Sequence, residues 1–328
     1  MSSKIVLCSN CFKHTGLKLM AERLGNKDGK KCPNCGSHDG YRLTKEQAKD
    51  LAESYIQQGT YHRAIFGGAP IFGVSDNPPY LDDAYKDDSD IVILSEKSGL
   101  YPFRLAPQMW RVGITTWLED LQSTDKTVRA EAIEKLFECA AVIDLYPGEV
   151  YYRLLADLHG KAANDPLTYD SPDWKYQRNS RFGIEGTRVL YLTTGIESAI
   201  YECRATIEDE LHLATLQIEA PLRVIDLTTT DDTSPYPGEN LSLSLFHLFR
   251  SGSVGYDISR EIARVARSKE YDGIVFWSFF NQITHLEDKN IALFGSPIED
   301  NTISVVSIER LLLNEAHYSF SFGPVLLD

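Results

Sequence analysis

Apolar positions change their spacing part-way along the chain. Up to residue 145 they recur at helical intervals. Ala48, Leu51, Ala52, Tyr55 and Ile56 form one stripe. "TKEQ" at Thr44 supplies a capping box ahead of it, with Gln47 reaching back to Thr44. Ala132, Leu136, Ala140 and Ile143 form a second stripe. The pattern predicts helices starting at 44, near 107–122 and over 127–143. Residues 67–90 between them read as a turn-rich loop. Its acid run (Asp82, Asp83, Asp87, Asp88, Asp90) is irregularly spaced and lacks a glycine hinge, which favours a solvated loop over a cation site. "YPGE" at 146–149 breaks the chain. Beyond it, short apolar runs bounded by turns predict strands at 150–155, 188–192, 212–218, 222–227, 272–277, 290–294, 303–308 and 316–322. Helical stretches at 195–205 and 258–268 lie among them. That mixed order predicts an α+β fold rather than a doubly wound sheet.

Cysteine spacing sets off the N-terminus. Cys8, Cys11, Cys32 and Cys35 follow C-x2-C-x20-C-x2-C. Two such knuckles close a tetrahedral shell and leave no ligand position open, so the pattern predicts a structural zinc. Four cysteines suffice, which makes His14 and His38 surface residues. The chain thus divides into a zinc module, 1–43, a helical region, 44–145, and an α+β domain, 146–328. With 43% hydrophobic residues among 328, it has enough apolar mass for a core. No apolar run approaches the roughly 20 residues that span a bilayer, and the apolar stretch at the N-terminus is too short for a signal peptide. The expectation is a soluble, cytoplasmic protein with no membrane partner. Net charge is −14 but uneven: residues 1–45 hold nine Lys/Arg against three Asp/Glu, leaving 24 against 44 in the rest. The acidic body repels nucleic acid, whereas the basic module can bind nucleic acid or dock on that body; the sequence leaves both open.

The common nucleotide and hydrolase motifs are missing: there is no G-x-x-x-x-G-K-[ST], no G-x-G-x-x-G and no G-x-S-x-G. What remains is an ordered polar set on strand-like segments. Arg153 sits in the apolar run "VYYRLL", where a charge must face out or meet an anion. Arg181 follows in the loop "SRFGIEG", Tyr191 in "VLYL", Glu202 beside the core stripe Ile196, Ala199, Ile200 and Cys203, and Ser278 at the end of "DGIVFWS". Taken singly, each reads as structural sooner than functional: Arg153 and Glu202 as a buried ion pair, Tyr191 as a core aromatic, Ser278 as a strand-end hydroxyl. "RLLADLH" also spaces Arg153 and His159 as in some helical ribonucleases, but in a strand-like run.

Taken together, these residues resemble the RES domain family, named for its Arg, Glu and Ser. "YYR" (Arg153), "RFGIEG" (Arg181), "LYL" (Tyr191), "SAIYE" (Glu202), "DGIVFWS" (Ser278) and "NIALF" (from Asn290) match its core pattern in order. "LRVIDLT" at 222–228 looks like the strand between the Glu helix and the Ser strand. Phe182 and Gly183 stand where the family often has Trp and Asn. The resemblance implies an ADP-ribosyltransferase-like α+β fold that takes NAD as substrate and cleaves its nicotinamide–ribose bond. Several such proteins are toxins that deplete NAD by phosphorolysis, with inorganic phosphate as co-substrate and an antitoxin or immunity protein as partner. Others transfer ADP-ribose to a protein. Carried over, the catalytic residues are Glu202, Arg153 and Tyr191, and the NAD-binding residues Arg181, Ser278 and Tyr152, with Asn281 secondary. The residue chemistry agrees: a carboxylate stabilises the positive charge that grows on the ribose, and arginine forks suit pyrophosphate and phosphate. Two alternatives remain: ADP-ribosyl transfer to a macromolecule, and a zinc-module nucleic-acid binder or ribonuclease.

Overall fold

The computed structural model describes residues 4–60, 70–77, 83–105, 120–177, 180–230, 245, 248–249, 255–278, 280, 287–317 and 320–325. Most of the helix expected near 107–122 lies outside these, as do Asp82 and Asn281. The chain forms two compact units, Met1–Arg111 with Tyr318–Asp328, and Val112–His317.

In the first unit, strand β1 (Ile5–Cys8) pairs antiparallel with β2 (Arg42–Thr44), and helices α1 (Thr15–Leu24) and α2 (Lys45–Ala52) pack with them. Strands β3 (Phe72–Ser75) and β4 (Tyr101–Arg104) pair around α3 (Ser89–Ser98). One core joins them, with Leu7, Leu17, Leu43, Leu51, Phe72 and Leu94 fully buried. The 43/44 border drawn from the cysteines falls inside this core. Thr44 ends β2 and caps α2: its hydroxyl accepts the Gln47 N–H (3.2 Å), and its own N–H donates to Gln47 Oε1 (3.0 Å). The acid run is not a solvated loop throughout. Asp88 caps α3, accepting the N–H groups of Asp90 and Ile91, and Asp90 is buried, its Oδ2 accepting the N–H groups of Lys13 and His14 at 2.6 Å each. Those two N–H groups belong to the turn that opens α1, and a buried carboxylate persists where such donors meet it.

The strand expected at 316–322 is absent among its described residues. Residues 320–325 instead lie on this unit. A Cβ on Gly16 would stand 2.6 Å from Phe322 Cβ, and one on Gly59 would stand 2.4 Å from Gly323 Cα.

The second unit is built on an eight-stranded sheet in the order β12-β8-β6-β7-β11-β10-β9-β5. Its strands are β5 (Ala140–Leu145), β6 (Val150–Leu155), β7 (Val189–Thr193), β8 (Leu211–Ile218), β9 (Leu222–Thr230), β10 (Gly273–Trp277), β11 (Lys289–Phe294) and β12 (Ile303–Leu311). Neighbours are antiparallel except β9 and β10, which are parallel. Helix α4 (Lys126–Cys139) leads into β5, α5 (Ile196–Cys203) follows β7, and α6 (Tyr256–Ser268) precedes β10. Alternation along the central strands feeds two cores. Val189, Ile274, Phe276 and Ala292 join α4 and α6, while Leu190, Val275, Ile291 and Leu293 pack with Tyr169 on the opposite face. Tyr191 shares the α6 side.

The helix expected over 127–143 stops at Cys139, so Ala140 and Ile143 belong to a strand instead. β5 closes the sheet edge by pairing with β9, Ala141 opposite Asp226 and Ile143 opposite Val224. The apolar period that runs on past Cys139 is overridden by this pairing. The border drawn at 145/146 therefore lies between two strands of one sheet. The fold is α+β, and no described helix is long and apolar enough to cross a membrane.

Candidate active site and four-cysteine cluster

A cavity of about 340 Å³ opens in the second unit, lined by Tyr152, Arg153, Arg181, Tyr191 and Glu202 from the sequence-derived set. Each comes from a different local cause. Arg153 and Tyr152 ride on β6, Tyr191 on the neighbouring β7. Glu202 sits in the last turn of α5, whose Ala199 packs with Leu154 of β6, and the helix ends at Arg204 with a left-handed φ of 52°. Arg181 stands in the loop before β7. That loop is tight: a Cβ on Gly183 would be 2.2 Å from the Gln177 carbonyl oxygen.

One carboxylate oxygen of Glu202 is doubly held. Its Oε1 accepts from Ser278 Oγ at 2.8 Å and from Asn290 Nδ2 at 2.6 Å, while Oε2 accepts no hydrogen bond from the described residues. Ser278 therefore lies behind the carboxylate rather than in the cavity wall. Its hydroxyl also accepts the Phe280 N–H at 3.2 Å, and the Phe280 ring stacks on Tyr201, 5.6 Å between centroids.

Arg153 is not the ion-pair partner of Glu202. Its Nη1 donates to the Tyr191 carbonyl at 3.0 Å and Nη2 reaches the Asp170 carbonyl at 3.5 Å. Its Nε is buried without a partner. Burial lowers the pKa of this guanidinium, and no carboxylate among the described residues forms a salt bridge with it. An anion in the cavity would relieve both deficits. Arg181 is held differently. It donates to the Leu248 and Phe249 carbonyls and lies 5.3 Å over the Phe249 ring and 5.2 Å over that of Tyr256; burial lowers its pKa too. The Tyr191 hydroxyl accepts the Phe182 N–H at 3.0 Å and donates to Ser180 Oγ at 3.2 Å, and burial raises its pKa. Tyr191 thus pins the Arg181 loop from both sides. Cys203 also lines the cavity; burial pushes its thiol up to about 11, and it donates to the Leu154 carbonyl at 3.0 Å.

Sequence reasoning missed Asn290, Tyr256, Phe249 and Trp277, all of which line the cavity. Asn290 opens the "NIALF" run, so its signal was in view without a role attached to it. Trp277 likewise lies within "DGIVFWS" without a role attached, and nothing local marks Phe249 and Tyr256.

In the first unit, the sulfurs of Cys8, Cys11, Cys32 and Cys35 all lie within 4.8 Å of one another. Neighbouring pairs are 3.9 Å (Cys8–Cys11), 3.5 Å (Cys8–Cys35) and 3.6 Å (Cys11–Cys32) apart. Four sulfurs about 2.3 Å from one tetrahedral ion stand about 3.8 Å apart, so the cluster fits such an ion. The Cys8 N–H and Asn34 Nδ2 both donate to Cys11 Sγ at 3.4 Å, a second shell suited to a thiolate. Burial pushes Cys11 up to about 11 and Cys8 further. Cys32 is lowered to about 7: burial opposes this, and the N–H groups of Cys35 and Asn34 outweigh it. His14 lies outside the cluster, 3.2 Å from Asp88, and His38 bonds the Gly29 carbonyl. Arg42, one of the nine basic residues of this region, is buried, its guanidinium holding the carbonyls of Lys30, Ser37 and Gly40.

No curated protein matches the sequence. Among solved structures, the chain is similar to one from the M. tuberculosis MbcT–MbcA toxin–antitoxin complex. The two are 14% identical, the match covers 55% of this chain and 91% of that one, and the TM-score is 0.33. The RES domain model matches residues 150–314, just over half of the 328, and spans β6 to β12 with every residue of the cavity set above: the chain belongs to the RES domain family.

Proposed function

We propose that the second unit consumes NAD by breaking its nicotinamide–ribose bond, with inorganic phosphate as acceptor. The observation that carries this reading is Glu202 Oε1 locked by Ser278 and Asn290 beside a cavity that holds two guanidinia. As the C1″–N bond breaks, its electron pair passes to the nicotinamide nitrogen, whose ring charge is neutralised. Positive charge moves to the ribose. Glu202 lies in position to orient a ribose hydroxyl and to stabilise that charge. A phosphate oxygen then attacks C1″, giving nicotinamide and ADP-ribose 1″-phosphate. The leaving group needs no proton, so positioning dominates. Arg153, with its unpartnered Nε, is the natural anion contact; Tyr191 orders the wall. In the cell, such an activity acts as a toxin or defence effector that an antitoxin or immunity protein restrains. The four cysteines hold a structural zinc, which supplies no chemistry to the reaction.

Purified protein with NAD and phosphate is expected to release nicotinamide and the phosphorylated product. Glu202→Gln keeps the size of the side chain and removes its charge; it should lower turnover by ~100-fold or more with the circular dichroism spectrum unchanged. Intact NAD after long incubation at high protein concentration, with and without phosphate, would overturn the reading.

A further inference from the structure

Tyr256 is the first residue of α6 and part of the cavity wall. Two guanidinia hold its ring. Arg181 Cζ lies 5.2 Å from the ring centroid and Arg260 Cζ 5.8 Å. Each cation is anchored elsewhere. Arg181 is fixed on the Leu248 and Phe249 carbonyls, and Arg260 donates through Nε and Nη2 to the Ser180 carbonyl at 3.3 Å. Ser180 is itself tied to Tyr191. Cation–π contacts with two anchored arginines leave the ring little freedom.

The hydroxyl is a different matter. It forms no hydrogen bond with a described residue, whereas the Tyr191 hydroxyl is used twice. A phenol whose ring is held by two guanidinia and whose hydroxyl is unused by the described residues is a preorganised donor. The neighbouring carboxylate, Asp257, lies 3.3 Å from Arg129, so its charge is compensated. Arg181, over the same ring, keeps N–H groups with no partner among the described residues.

We propose that Tyr256 is a substrate-contacting residue whose hydroxyl donates to a phosphate-class oxygen, with Arg181 as its charged companion. This rests on the NAD-cleaving reading and names where that substrate's anionic part is recognised. The oxygen belongs either to the pyrophosphate of the dinucleotide or to the free phosphate that attacks. Both present the same chemistry, and kinetics separates them.

Tyr256→Phe keeps the ring and its clamps and removes only the hydroxyl. Losing a hydrogen bond to an anion should raise KM about tenfold or more, with kcat changed far less. The rise falls on KM for NAD if the oxygen is in the pyrophosphate and on KM for phosphate if it is the free ion. Calorimetric titration of ADP-ribose and of inorganic phosphate into both proteins gives a second readout that needs no turnover. A wild type that leaves NAD intact but binds either ligand more tightly than the variant sinks the catalytic reading and upholds this contact. Equal KM values and equal affinities in the two proteins overturn the contact while leaving the catalytic reading in place. A wild type that neither turns over NAD nor binds either ligand overturns both. The melting temperature should not move, because the hydroxyl has no hydrogen-bond partner among the described residues; a large drop overturns that premise and the proposal with it.

Discussion

Asn290 Nδ2 stands 2.6 Å from Glu202 Oε1, and Ser278 Oγ stands 2.8 Å from the same atom. Two donors on one oxygen fix the rotation of the carboxylate, which decides what the other oxygen can reach. Asn290→Ala leaves one donor, so NAD turnover should fall ~10–100-fold, the worth of a hydrogen bond to a charged group. Ser278→Ala should behave alike. The double variant should lose less than the product of the two, since both act through one atom. Turnover of Asn290→Ala within about twofold of wild type would show that the lock is dispensable. Glu202, Arg153, Arg181 and Tyr191 could be singled out because their order along the chain resembles the RES pattern, and one cavity brings them together. The role of Asn290 was not, because its partner lies 88 residues away and no local pattern encodes that bond. The Tyr191 hydroxyl illustrates the converse: its strand was plain in "VLYL", but its grip on Ser180 and Phe182 depends on how the preceding loop folds back.

Strands β10 and β11 deliver both donors. They pair antiparallel, with Gly273 opposite Leu293 and Trp277 opposite Lys289, so the end of one strand and the start of the other meet beside α5. The glycine at 273 permits that approach, for a Cβ there would lie 2.4 Å from the Ala292 carbonyl oxygen and 3.2 Å from Leu293 Cα. Neither backbone atom can swing away as a side chain would. Gly273→Ala should destabilise the second unit by roughly 1–3 kcal/mol, in the range of overpacked core positions. Calorimetry of the full chain should show the lower melting temperature, and an unchanged one would mean the strands separate without strain. Apolar runs bounded by turns made seven of these strands readable from sequence. β5 was not readable, because Ala132, Leu136, Ala140 and Ile143 keep a helical period past the point where the helix ends. Only β9, which offers its edge to Ala141 and Ile143, decides the matter. Likewise α3 hid behind an acid run that looked solvated, although Asp88 is its cap and Asp90 its buried tie to the start of α1.

At the scale of the whole chain, the "YPGE" break and the change in apolar spacing put the main division at residue 146, whereas the first unit takes up both ends of the sequence. That closure is non-local, and only glycines record it. Gly16 lies beneath Phe322, and the Gly59 and Gly323 backbones touch, which leaves no room for side chains. Gly16 belongs to the first turn of α1, which follows the knuckle of Cys8 and Cys11, and both Cys11 and Phe322 pack on the core of this unit. A metal held by the four cysteines would fix the knuckle; the knuckle leads into the start of α1, and Gly16 of α1 seats the C-terminal segment. Whatever binds only the folded unit stabilises it, so removing the metal should loosen the seat as well as the site. Hydrogen–deuterium exchange with and without a chelator measures this. Peptides covering 15–24 and 320–325 should exchange faster once the metal is stripped, while one covering 211–218, in the sheet of the second unit, should not change. Gly59→Val gives the reciprocal arm. A side chain there collides with Gly323, so residues 320–325 should lose protection while the metal content stays near that of the wild type. Full protection of 320–325 in the stripped protein would break the chain of coupling at α1, and the metal would then serve the knuckle alone.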